Sequence, residues 1–243
     1  MPQKKYVQTD TNLNGRRLVI SDIHGCLKTF IALLEKLNFN KTDRLFLLGD
    51  YIDRGPDSKG VLDHIMYLQD QKYQVFPVRG NHEDELLNAY NEYDRETFVF
   101  YVKKMAKNTA FLDDDGKIIS RYYAFLQNLP WYIELPDYYI VHAGFNYKDS
   151  APFKDYSAML NLRFDYKEYE TDFLNGKRLV RGHQPTEIEI IKKAVESRSM
   201  VIPLDNGCVY RKKHKIYDHT KLGKLACLDL DTLEYREKQR AKF

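Results

Sequence analysis

Apolar positions in the first eighty residues switch between two periodicities. Arg17-Leu-Val-Ile20 is short and β-branched and predicts a strand. Leu27, Phe30, Leu33, Leu34 and Leu37 then recur at helical spacing. Leu45-Phe-Leu-Leu48 predicts a second strand, after which Pro56-Asp57-Ser58 opens a helix carrying Val61, Leu62, Ile65 and Leu68. Gln74-Val-Phe-Pro-Val78 predicts a third strand. Strand followed by helix, repeated, is the signature of an α/β fold with parallel strands. The polar residues 1–15, ending in Asn14-Gly15, predict a loose arm or an edge piece.

The rhythm changes over about 84–128. This stretch is polar, aromatic-rich and helical in pattern, interrupted at Asp113-Asp-Asp-Gly116. It predicts a helical insertion with a surface turn, within one domain spanning 1–243. Strands resume at Trp131 to Leu135, Tyr138 to Val141 and Leu179-Val180. Met200 to Leu204, Leu225 to Leu230 and Leu233 to Arg236 predict antiparallel strands closing a second sheet.

Composition narrows the class. An apolar fraction of 43% supports a packed core. A net charge of +3, with acids and bases interspersed, gives no footprint for a stable nucleic-acid or membrane partner. Cys26, Cys208 and Cys227 are odd in number and widely spaced, which predicts neither zinc pair nor disulfide framework and points to a reducing compartment. The start, Met-Pro-Gln-Lys-Lys-Tyr, lacks the apolar stretch of a signal peptide, and a cytoplasmic location is expected. Oligomeric state is not legible.

The chemistry resides in five strings that each follow an apolar run: Ser21 to Gly25, Gly49 to Gly55, Gly80 to Glu83, His142 to Gly144 and Arg181 to Pro185. Ligands in α/β sheets bind at the carboxyl ends of parallel strands, so loops distant in sequence can converge on one crevice. Asp22 and His24, one residue apart, can reach one ion. Asp50 can bridge two ions because a carboxylate has two oxygens. Asn81, His142 and His183 can complete the second site. Carboxylate, amide and imidazole together suit two divalent ions, manganese first, with iron or zinc as alternatives. Two such ions about 3.5–4 Å apart clamp a phosphate and activate a bridging water. Arg54 and Arg163 offer the guanidinium forks that match phosphate oxygens, and Asn81 lies beside them. His82, pointing away from its neighbour Asn81, suits a general acid, with Asp53 orienting it.

A single Asp or His beside glycine is an ordinary turn or cap; five such strings in this order are not. The set resembles the phosphoprotein phosphatase branch of the calcineurin-like metallophosphoesterases, of the bacterial serine/threonine type, from Arg17 to about Leu230. The resemblance implies a central β-sandwich of mixed sheets flanked by helices, a four-layer α/β/β/α arrangement. It implies Asp22, His24 and Asp50 on one metal, and Asp50, Asn81, His142 and His183 on the other. It implies Arg54 and Arg163 on phosphate, and His82 with Asp53 as the acid pair. Ser21 replaces a family glycine and contributes no ligand. Asp205 to Tyr210 resembles the family's closing Asp-Thr-Gly-Cys strand, followed by a basic hairpin tip at 211–221.

The expected activity is hydrolysis of phosphate monoesters by direct attack of a metal-bridging hydroxide, with phosphoserine or phosphothreonine proteins ahead of phosphorylated small molecules. A symmetric bis(5'-nucleosyl)-tetraphosphatase is the alternative, and a catalytically silent binding module is the third reading. Glu83 is expected at a helix amino terminus, where the dipole favours it. Arg79 is expected to be structural, His64 half-buried, and Cys26 simple packing. A few tyrosines within 90–147 are expected at the crevice rim.

Overall fold

The computed structural model describes residues 6–7, 15–106, 109–165, 167–210 and 220–241. Most of the expected basic tip, 211–219, lies outside them. Among the described residues, ten strands form two five-stranded sheets. The first elements are β1 (Tyr6–Val7), β2 (Arg17–Ile20), α1 (Leu27–Lys36), β3 (Arg44–Leu47), α2 (Ser58–Asp70) and β4 (Gln74–Pro77). The inserted layer holds α3 (Asn81–Glu92), α4 (Arg95–Tyr101), a π-helical turn (Val102–Ala106) and α5 (Ser120–Gln127). Next come β5 (Tyr132–Glu134), β6 (Tyr138–Val141), α6 (Tyr156–Asn161), β7 (Arg178–Arg181), α7 (Ile188–Glu196), β8 (Val201–Pro203), β9 (Lys224–Asp229) and β10 (Tyr235–Gln239). One sheet runs β1-β5-β6-β7-β8 and the other β10-β9-β2-β3-β4.

The layering follows from the two-residue period of the strands. Leu18, Ile20, Leu45 and Leu47 face one core with α1, α2 and the inserted helices. Their neighbours Val19, Phe46 and Leu48 face a second core, where they meet Ile140, Val180 and Ile202 of the opposite sheet. Leu179, Val141 and Val201 face a third core, under residues 145–174. Helix, sheet, sheet and helix therefore stack in four layers, since successive strand residues point to opposite faces and both faces are buried. This is the mixed-sheet α/β architecture expected above.

Three expectations change. Val201–Pro203 does not join an antiparallel group closing a second sheet: it pairs parallel to β7 in the first. The intervening α7 returns the chain to the same end, and a helical crossover makes the next strand parallel. β9 and β10 do run antiparallel, and they extend the other sheet from β2. The segment Asp205 to Tyr210 is a turn rather than a strand, with Gly207 at φ +61. The insertion starts three residues earlier than expected, because α3 begins at Asn81 directly after Gly80. The Asp113–Gly116 turn is where the pattern put it, closed by a bridge between Leu112 and Ile118.

One polar node joins the start of β2 to that of β3. The buried Asp43 carboxylate accepts from Arg16 N (3.2 Å), Nε (3.0 Å) and Nη2 (2.6 Å), and from Asn40 N (3.1 Å) and Nδ2 (3.2 Å). Burial alone would raise its pKa; the Arg16 and Asn40 hydrogen bonds outweigh burial and hold it below the usual value. A depressed carboxylate contributes stability that is present above the unfolded value and lost as pH falls through the folded one. Asp43→Ala should cost about 1–3 kcal/mol near neutrality by orphaning buried donors. For Asp43→Asn, the deficit in the urea midpoint should shrink between about pH 5 and about pH 2. A deficit independent of pH would show that the carboxylate charge contributes nothing.

Candidate metal centre

Each of the five strings lies at or just past the end of a parallel strand, the third running into the first turn of α3, and the two sheets bring them to one end of the sandwich. His142 Nδ1 donates to Leu48 O at 2.7 Å, and His183 N donates to Asp22 Oδ2 at 2.9 Å, so each sheet holds a ligand-bearing loop of the other. These loops are tightly bent. His24 (φ 44), Asp50 (φ 51), Asp53 (φ 67), Arg54 (φ 62) and His183 (φ 66) all occupy the left-handed region, which non-glycine residues adopt only when their surroundings enforce it. Gly55 is required for close approach, since a methyl there would overlap the His24 carbonyl.

Glu83 is the enforcing side chain. Its Oε2 accepts from Asp50 N and Gly80 N, both at 2.9 Å. Its Oε1 accepts from Tyr51 N at 2.8 Å and Ile52 N at 3.3 Å. It does sit in the first turn of α3, as expected, but its carboxylate is aimed at the adjacent loop rather than spent on the helix dipole. Arg79 is structural too: it pairs with Asp84 at 2.9 Å, donates to Leu126 O and Gln127 O, and lies 4.9 Å over the Trp131 ring.

The donors form two groups that share Asp50. Atoms of Asp50, His142 and His183 lie within 4.8 Å of one another, as do those of His24, Asp50 and His82. The Asp50 oxygens face opposite ways: Oδ2 is 3.3 Å from His24 Nε2, and Oδ1 is 3.5 Å from His142 Nε2. His142 Nε2, His183 Nδ1 and Asn81 Oδ1 form a triangle with 3.1 Å sides. Ligands held at right angles about 2.1 Å from one ion would stand about 3.0 Å apart. The triangle thus fits a first-row divalent ion.

Protonation separates the four histidines. His24 and His142 each donate Nδ1–H to a carbonyl, of Ile52 at 2.9 Å and Leu48 at 2.7 Å, which leaves Nε2 with its lone pair. Burial pushes the His24 and His183 pKa values down to about 3 and lowers that of His142 as well. These three are neutral, the form that ligates metal. His82 differs. Burial opposes its charge, but the 2.7 Å hydrogen bond from Nδ1 to Asp53 Oδ2 and the field of Asp50 outweigh burial and push its pKa up to about 9. Although His82 stands within one donor group, it is a cation there, poor as a ligand and apt as an acid.

Asp22 is in neither group. Its Oδ1 is buried without a hydrogen-bond partner, and burial together with Asp205 and Asp50 holds its carboxyl well above the usual range. A buried acid cluster with an orphaned oxygen is the environment a bound cation neutralises. The residues present therefore fit two divalent ions. Arg54 is exposed at the lip, with Nη1 3.2 Å from His24 Nε2. Arg163 is also exposed, on the loop after α6. Sequence reasoning passed over Glu85, whose Oε1 accepts from Asn81 Nδ2 at 3.0 Å, and Asp205, a buried acid in the Asp-Asn-Gly-Cys string. His64 is half-buried with its ring edge-on to Phe30 at 5.7 Å, and Cys26 is buried at the start of α1.

The chain resembles several known proteins. Symmetrical bis(5'-nucleosyl)-tetraphosphatases are similar to it over a short segment. That of Wigglesworthia glossinidia brevipalpis is 48% identical over 73 residues, 30% of this chain and 26% of the relative. That of Pseudomonas entomophila is 39% identical over 77 residues, 31% of this chain and 26% of the relative. The chain thus matches about a quarter of the length of these curated relatives. Among solved structures, a candidate diadenosine tetraphosphatase superposes with a TM-score of 0.64 at 22% identity, covering 97% of this chain and 99% of that one. A protein serine/threonine phosphatase from Saccharomyces cerevisiae gives 0.62 at 15% identity, covering 98% and 84%. These likenesses establish the fold. The family model for calcineurin-like phosphoesterases matches residues 15–214, a span that includes all five strings, and the chain belongs to that family.

Proposed function

We propose that this protein is a dinuclear metal-dependent hydrolase of bis(5'-nucleosyl) tetraphosphates that cleaves them symmetrically. The observation that carries the hydrolytic reading is the division of one buried cluster into three neutral imidazoles and a single cationic one. The substrate reading is supported by the curated relatives. It therefore takes precedence over the phosphoprotein substrate expected from the motifs, whose support is solved neighbours at low identity.

Asp22, His24 and Asp50 would hold one ion, and Asp50, Asn81, His142 and His183 the other. Bound there, two divalent ions, with manganese best suited to this donor set, would neutralise phosphoryl charge and lower the pKa of an attacking water. Arg54 and Arg163, exposed at the lip, take the phosphoryl oxygens, with Asn81 beside them. His82, kept charged by Asp53, donates its proton to the departing oxygen. The three cysteines are buried and form no disulfide, which supports a reducing, cytoplasmic setting. Among the described residues no helix is long and apolar enough to cross a membrane. The shared cores of the sandwich support one domain.

Gly182 gives a test of the metal assignment apart from turnover. A methyl at this position would overlap Asp22 Oδ1, so Gly182→Ala must displace that carboxylate. Metal affinity, measured by calorimetric manganese titration, should fall about 10- to 100-fold. Unchanged affinity would remove Asp22 from the ligand set. His82→Asn should lower kcat by about 10²-fold or more, and Arg54→Ala should raise KM and weaken inhibition by inorganic phosphate. If neither constant moves in Arg54→Ala, this arginine does not bind phosphate. The deciding experiment offers the manganese-loaded protein diadenosine tetraphosphate and a phosphoserine peptide side by side. ADP should be the product, with kcat/KM for the dinucleotide higher by about two orders of magnitude. Faster turnover of the peptide would return the phosphoprotein reading to first place.

A further inference from the structure

The string Arg181 to Pro185 has a second side. His183 turns its ring into the donor triangle, while its neighbours Arg181, Gln184 and Pro185 line a cleft of about 340 Å³. Phe164, the residue after Arg163, and Ile190 of α7 line it too. Consecutive Cα atoms stand about 3.8 Å apart, so the cleft opens one residue from a proposed metal donor and one residue from a proposed phosphate donor. Its volume lies in the range of small-ligand sites, about 300–1,000 Å³.

The lining is apolar with one free polar group. Ile190 is 38% exposed, and Pro185 is half-buried. Both faces of Phe164 are covered, by Tyr169 at 4.2 Å and by the Arg181 guanidinium at 4.4 Å, so it offers the cleft its edge. A ring edge is positive and attracts the face of another π-system. The polar group comes from Gln184. Its Oε1 accepts from Phe164 N at 3.2 Å and from Arg181 Nη2 at 3.3 Å, and these two donors fix which way the amide lies. Its NH2 group has no hydrogen-bond partner among the described residues and is left for a ligand.

We propose that this cleft seats a nucleoside of the dinucleotide, with the Gln184 NH2 group donating to an acceptor on the base and Phe164, Pro185 and Ile190 packing against its ring. The inference rests on the dinucleotide reading above and adds where a base is recognised. A purely apolar occupant would strand the two amide donors, whereas a flat ring carrying nitrogen and carbonyl acceptors satisfies them. A phosphate held by Arg163 leaves its nucleoside on this side of the string.

Calorimetric titration of the manganese-loaded protein tests it with ADP and with methyl diphosphate, which carries the same diphosphate without the nucleoside. The wild-type protein should bind ADP more tightly by about tenfold, the worth of roughly one net hydrogen bond. Ile190→Ala, at an exposed position, should shrink that preference about threefold and leave methyl diphosphate binding unchanged. Gln184→Glu keeps an acceptor for Phe164 N and Arg181 Nη2 but replaces the NH2 group with an oxygen. It should weaken both ligands through its charge and remove the preference. A preference absent from the wild type, or one that survives either substitution intact, overturns the nucleoside cleft. So does tighter binding of a phosphoserine peptide than of ADP that is lost in Ile190→Ala, which would assign the cleft to a peptide side chain. The substrate reading fails separately, by the absence of ADP among the products from diadenosine tetraphosphate. A protein that releases ADP yet binds methyl diphosphate equally well would keep the activity and lose the cleft.

Discussion

The site depends on one buried carboxylate that binds no metal. Glu83 gathers the amides of Asp50, Tyr51, Ile52 and Gly80 onto its two oxygens, tying the loop after β3 to the loop after β4. Those loops contain Asp50, Asp53 and Arg54 in left-handed conformations, each unfavourable by about 1–2 kcal/mol for a residue with a Cβ. Burial, and then the nearby Asp50 charge, push the Glu83 pKa up to about 8. The His82 charge and the backbone amides oppose that rise, and the carboxylate's hydrogen bonds to the four amides hold the strained turn in place. Ser58 adds a fifth restraint by accepting from Asp53 N at 2.9 Å, and the Tyr51 hydroxyl anchors the turn by donating to Val78 O at 2.6 Å.

With that turn in place, electrostatics divides the labour. Four imidazoles occupy one crevice, yet His82 alone is charged, because it alone bonds a carboxylate, Asp53, through Nδ1. His24 and His142 spend the corresponding nitrogen on neutral carbonyls, so burial wins and both stay neutral. The partner of Nδ1 therefore decides which histidine can ligate and which can donate a proton. Burial lowers Arg181 to about 10, and the fields of the buried acids Asp205 and Asp22 oppose that loss of charge.

The strand–helix rhythm and the five strings were legible because both signals are local. A strand end, a glycine and a donor lie within a few residues of one another. The partner of a strand is not local, and for that reason β8 was misjudged: Val201–Pro203 has the same β-branched character whether its neighbour runs parallel or antiparallel. Only recognising α7 as a crossover would have assigned it to β7. The role of Glu83 was hidden for a similar reason. An acid in the first helical turn is usually satisfied by the dipole, and nothing within its own string shows that a loop thirty residues earlier needs an acceptor. Glu85 and Asp205 are polar residues whose neighbours come from tertiary contacts alone. The early start of α3 is a boundary effect, since Gly80 and Glu83 together cap the helix at Asn81.

Arg163, proposed above to bind phosphate, shows how the two sheets act as one site. Arg163 has no motif of its own, and its position is inherited from the next residue. Phe164 stacks on Tyr169 at 4.2 Å and lies under the Arg181 guanidinium at 4.4 Å, in space left open by the missing side chain of Gly144. Gln184 Oε1 accepts from Phe164 N at 3.2 Å and from Arg181 Nη2 at 3.3 Å. The residues on either side of the Gly182-His183 pair therefore grip the loop that presents Arg163, while His183 itself points into the donor triangle. A displacement of that string moves His183 and Arg163 together, the proposed metal and phosphate donors. In the other sheet, Glu83 does the same for Asp50 and Arg54. Each half of the crevice thus ties a proposed metal donor to a proposed phosphate donor through its own backbone. Discrimination among substrates must then come from groups that neither tie uses, such as those proposed above to seat the nucleoside.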